Sequence, residues 1–72
     1  MATASTDKPI TFSSESLLLR DQIRDLLSRR LRERAVEHAR SQKRDQVTEE
    51  DVAASVEQAI KDVVKEILPD AL

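Results

Sequence analysis

Residues 35–56 read AVEHARSQKRDQVTEEDVAASV, and this stretch sets the architecture. Its centre, SQKRDQ at residues 41–46, has no apolar residue and interrupts the helical periodicity on both sides, which makes it the interior loop. Thr48 follows as a helix N-cap, with Glu49, Glu50 and Asp51 in the first turn, where the helix dipole favours negative charge. Asp51 occupies the third helical position, from which its carboxylate can complete a capping box in the shorter acidic form. One helix therefore ends near Arg40 and a second begins just after Thr48.

Upstream of the loop, Leu19, Ile23, Leu26, Leu27 and Leu31 recur at three- and four-residue steps, and Ala35, His38 and Ala39 extend the stripe. Ser13 is the expected N-cap, Glu15 lies in the first turn, and Phe12 and Leu17 have the spacing of a hydrophobic staple. A helix of roughly 27 residues is about 40 Å long, more than a chain this small covers with its own second helix. Downstream, Val52, Val56, Ala59, Ile60, Val63, Val64 and Ile67 share a face, while Glu57, Lys61, Asp62, Lys65 and Glu66 lie mostly opposite. Pro69 ends the second helix. The expected organisation is a flexible arm over residues 1–11, a helical hairpin over 12–68 and a short tail over 69–72.

Two helices with one apolar stripe each are the minimum packing unit. A lone hairpin leaves the edges of those stripes wet, and Leu18 and Val36 fall outside the main stripe altogether. Pairing two hairpins covers them, so the expected fold class is all-α, a hairpin that dimerises into a four-helix arrangement. The expected core and dimer residues are Leu19, Ile23, Leu26, Leu27, Leu31, Val52, Val56, Ile60, Val63 and Ile67.

Composition narrows the function classes. The chain has 72 residues, 39% hydrophobic and 36% charged, with one aromatic residue, Phe12, and no glycine. A chain this short holds one domain at most, and a self-contained enzyme is not expected. The absence of cysteine removes disulfides and thiolate metal sites, and a single histidine, His38, removes the usual zinc sets. His38 and Glu37 are adjacent and do not share a helix face, so His38 reads as a packed or capped histidine and not as a catalytic base. Ser13, Ser14 and Ser16 have capping work and no base nearby in sequence. No catalytic, cofactor or metal residues are therefore assigned, and no small-molecule substrate is expected. No apolar run approaches the ~20 residues needed to cross a bilayer, and the first residues lack the basic-then-apolar order of a signal peptide. The expected compartment is the cytosol.

The net charge of -2 hides an asymmetry. Residues 29–44 carry seven positive and two negative groups, whereas residues 45–72 carry two positive and eight negative. The arginines of the basic part have two readings: contact with phosphates, or pairing with the acidic second half of this chain or of a partner.

Within residues 35–56, His38, Ala39 and Arg40, then Lys43 and Arg44, then Gln46 and Val47, then Glu50, Asp51 and Val52 follow a helix end, a basic loop, a short extended step and an acidic helix start. That order resembles the end of the central helix, the second loop and the third helix of the histone fold of archaeal and related bacterial histones. Phe12, Ser13, Glu15 and the leucine stripe look like the start of that family's long central helix. A similar helix–loop–helix pattern occurs in a small C-terminal domain of light-independent protochlorophyllide reductase.

The histone resemblance implies an obligate dimer with crossing central helices and a pair between the loop arginine and the aspartate opening the last helix, here Arg44 and Asp51. The competing reading of Asp51 is an ordinary first-turn aspartate. The resemblance also implies DNA binding, nucleoid-associated if it holds. Two departures stand against that: residues 1–11 are too short and polar for the family's first helix, and Asp45 stands where a second basic residue is usual. The first expectation is thus a non-enzymatic, homodimeric, histone-fold-like interaction module whose partner is a second copy or another protein. The alternative is a non-specific DNA binder contacting phosphates through Arg40, Lys43 and Arg44.

Overall fold

The computed structural model describes residues 8–71. Two helices, α1 (Ser14–Ser41) and α2 (Glu49–Ile67), form a hairpin, followed by one 3-10 turn at Pro69–Ala71. No strand occurs among the described residues, so the extended step at Gln46 and Val47 pairs with nothing as a ladder. Residues 1–7 of the expected arm, and Leu72 of the expected tail, lie outside the described residues.

Each helix begins where its cap chemistry places it. The Ser13 hydroxyl accepts from the Ser16 backbone N–H at 3.1 Å, satisfying one of the orphan donors of α1. Phe12 carries the Arg20 guanidinium over its ring, 5.7 Å from the centroid. At the start of α2 the Asp51 carboxylate accepts from the Thr48 backbone N–H at 2.8 Å, and the Thr48 hydroxyl donates to the same oxygen at 3.1 Å. Pro69 has no N–H to continue α2, and Leu68 closes the helix by donating to the Val64 carbonyl at 2.7 Å.

The contact between the helices is built from small residues. Ala35 and Ala39 on α1 and Ser55 and Ala59 on α2 are buried, with Leu26 and Val63 as the large buried side chains. Such residues let two helix backbones approach closely and supply little apolar area of their own. Of the ten residues expected to form the core, Leu26 and Val63 are buried within one chain. Ile23, Leu27, Leu31 and Ile67 are half-buried, and Leu19, Val52, Val56 and Ile60 are exposed.

Candidate interaction surface

The turn between the helices is made without glycine. Lys43 takes the left-handed conformation at φ 59°, donating to the Arg40 carbonyl at 2.9 Å, and Arg44 donates from its backbone N–H to the Ala39 carbonyl at 3.0 Å. These two bonds are the Schellman closure of a helix C-terminus, in which glycine is the usual left-handed residue. The reversal turns Arg44 back across the start of α2, where its guanidinium bonds the Asp51 carboxylate.

Asp51 is completely buried and joins three segments. Besides Arg44 and Thr48, it accepts from His38 of α1, whose Nδ1 lies 2.6 Å from Oδ1. The ionised carboxylate is acceptor-only, so the proton of that bond belongs to Nδ1. One turn further on, the Ser55 hydroxyl donates to the Asp51 carbonyl at 2.7 Å. The Thr48 backbone N–H, then the His38 bond, then the Thr48 hydroxyl and Arg44 hold the Asp51 carboxyl far below the usual carboxylate range, against the opposing effect of burial. This cluster fixes the loop. It offers no ligand set, and no group of three or more His, Cys, Asp or Glu able to hold a metal occurs among the described residues.

Beyond the loop, the hairpin has two unlike flanks. On one, Arg34 makes a bidentate pair with Asp62, Nε to Oδ2 at 2.8 Å and Nη2 to Oδ1 at 2.9 Å, and one turn away Arg30 bonds Glu66. Each four-residue step along α1 is matched by four residues back along α2, so both pairs obey a single antiparallel register. Arg34 holds the Asp62 carboxyl below its ordinary range, and Asp62 in turn raises the Arg34 guanidinium. Glu33 and Glu37 supply further acceptors to Arg30 and Arg34, at 2.9 and 3.5 Å.

The other flank is apolar and open. Val52, Val56 and Ile60 are 37%, 41% and 47% exposed along one side of α2, and Val47 in the loop is 41% exposed. A groove of about 400 Å³ lies at the loop end, bordered by Ser28, Leu31, Arg32, Ala35, Val36, Val47 and Val52. A second, of about 240 Å³, lies at the far end between Ile23 and Leu27 on α1 and Ile60, Val64 and Ile67 on α2. Beyond Ile23 the first turns of α1 overhang the hairpin, with Leu18 and Leu19 67% and 46% exposed.

The residues assigned to phosphate contact divide. Arg44 is engaged by Asp51, while Arg40 and Lys43 have no acidic partner among the described residues. Arg29 and Arg32, which belong to the same basic part of the sequence, share that condition among the described residues and line an open groove on α1 with Glu33, Val36, Glu37 and Arg40. Sequence reasoning misses the bond from His38 to Asp51, whereas the Arg30 and Arg34 pairs follow the expected pairing of the basic part with the acidic second half of the chain. The signals for those pairs are the opposite charge of residues 29–44 and 45–72 and the matched four-residue spacing of Arg30 and Arg34 with Asp62 and Glu66. No helix among the described residues is long and apolar enough to cross a membrane. No family model, curated protein or solved structure matches this chain.

Proposed function

We propose that this chain is a small, non-enzymatic, self-associating helical module of histone-like type, which works as a homodimer through the open apolar flank. The observation that carries the reading is the contrast between the two flanks. Arg30 and Arg34 close one side of the hairpin with Glu66 and Asp62, while Val52, Val56 and Ile60 leave the other side uncovered along three turns of α2. An apolar strip of that length on a charged chain marks an interaction site. A second hairpin covers it in a four-helix arrangement. The likeness of residues 35–56 to the histone helix–loop–helix supports the same reading, and the Arg44 to Asp51 bond suits it. Light scattering tests it: the wild type is expected at twice the chain mass, and Val56→Glu, a charge placed on the strip, is expected at the monomer mass with its helicity retained. A wild-type monomer at high concentration overturns the reading.

The second reading, non-specific contact with DNA phosphates, is favoured by one observation: Arg40 and Lys43 have no acidic partner among the described residues. Arg44, engaged by Asp51, contributes less to it than the loop sequence alone implies. Titration into a duplex of about 60 base pairs at about 50 and 200 mM salt tests this, with a loss of affinity of tenfold or more expected from counterion release. No binding at tens of micromolar protein would exclude it.

A further inference from the structure

We propose that the basic groove of α1 receives α2 of another copy in antiparallel register, with Arg32 against Glu57, Val36 against Ala53 and Arg40 against Glu49. This contact goes beyond the self-association proposed above. It uses none of Val52, Val56 and Ile60, and because the surface given differs from the surface received it joins copies head to tail. The charges that the chain leaves unanswered point to it. Arg30 and Arg34 are engaged by Glu66 and Asp62, whereas Arg32 and Arg40 are exposed and have no acidic partner among the described residues. On α2, Glu49 is exposed and has no basic partner among the described residues, and Glu57 meets only Lys61 of its own helix, at 4.0 Å.

The two sets match in spacing as well as in sign. Arg32, Val36 and Arg40 stand at four-residue steps on α1, and Glu49, Ala53 and Glu57 at four-residue steps on α2. Each strip is about 12 Å long, with a charge at either end and an apolar residue midway. Arg32, Val36 and Arg40 border a groove of about 410 Å³, and the carboxylates that share it, Glu33 and Glu37, already bond Arg30 and Arg34. With Val36 half-buried among its cations, the groove suits an acidic helix with a small central residue, here the exposed Ala53, over a run of phosphates. The antiparallel sense follows the chain's own precedent, in which Arg30 and Arg34 meet Glu66 and Asp62 in that register, and it sets opposite helix dipole ends together. Exposed ion pairs contribute little singly and are screened by salt, so this contact is weak and salt-sensitive.

Sedimentation at high protein concentration tests it. The average mass of the wild type at about 20 mM salt is expected to be at least about twice that at about 500 mM, where exposed pairs are screened. Arg32→Glu is expected to abolish that growth. Two double variants keep the net charge of -2 and separate a specific contact from low-salt aggregation. Arg32→Glu with Glu57→Arg restores opposite charges at both ends of the strip and is expected to recover the growth. Arg32→Glu with Glu49→Arg sets like charges together at both ends and is expected not to. Growth in Arg32→Glu equal to that of wild type, the same behaviour in both double variants, or recovery by the Glu49→Arg one alone overturns the contact. A wild type of twice the chain mass at both salt concentrations overturns it too and leaves the flank association standing. Growth at low salt from a monomer at high salt keeps the contact and overturns the flank association, and a monomer throughout overturns both.

Discussion

At the scale of single residues, the junction depends on Asp51. Its buried carboxylate holds the N-cap Thr48, the loop residue Arg44 and the α1 residue His38 together, so its loss leaves several donors without an acceptor. Asp51→Ala is expected to lower the midpoint of thermal unfolding by roughly 10 °C, as read by circular dichroism. A midpoint within ~2 °C of wild type would contradict the role given to this residue. Because both Asp51 and Asp62 have folded-state pKa values depressed below the ordinary 3.8, their stabilisation is complete above that value and is lost as the pH falls below it. Urea midpoints are thus expected to drop between about pH 4 and pH 2, and to drop less in Asp51→Asn. Lys43 is the opposite case: its left-handed backbone costs about 1–2 kcal/mol in a residue with a Cβ, partly offset by the greater unfolded-state freedom of glycine. Lys43→Gly is expected to stabilise the chain by about 0.5–1 kcal/mol in urea unfolding.

At the scale of the helices, cap residues and stripe periodicity make the element boundaries legible. Ser13 and Thr48 stand at the helix starts and Pro69 stands just beyond the end of α2. What covers each face is less legible, because a stripe tells which residues turn inward and not how far its partner extends. Leu19 shares a period with the half-buried Ile23 and Leu27, yet α2 stops short of it and leaves it exposed. The His38 contact is hidden for a different reason: its partner lies thirteen residues on, across a turn whose left-handed residue is a lysine, with no glycine to announce the reversal. The close approach of the helices rests on Ala59, which has no exposed surface. Ala59→Leu is expected to destabilise the hairpin by about 1–3 kcal/mol through overpacking, read from denaturant unfolding, and a neutral effect would contradict the packing described.

At the scale of the whole molecule, one chain supplies a fixed loop, an ion-paired flank and an unfinished apolar one. The Arg44 and Asp51 bond is legible through the histone likeness, while the division into two flanks emerges only from the side-chain arrangement. Self-association through the open flank is the central claim. Sedimentation equilibrium of the wild type beside Ile60→Glu, over a wide range of protein concentration, tests it most directly. A wild-type dimer and an Ile60→Glu monomer of equal helicity are predicted. A monomeric wild type, or an Ile60→Glu dimer as tight as the wild type, would contradict it.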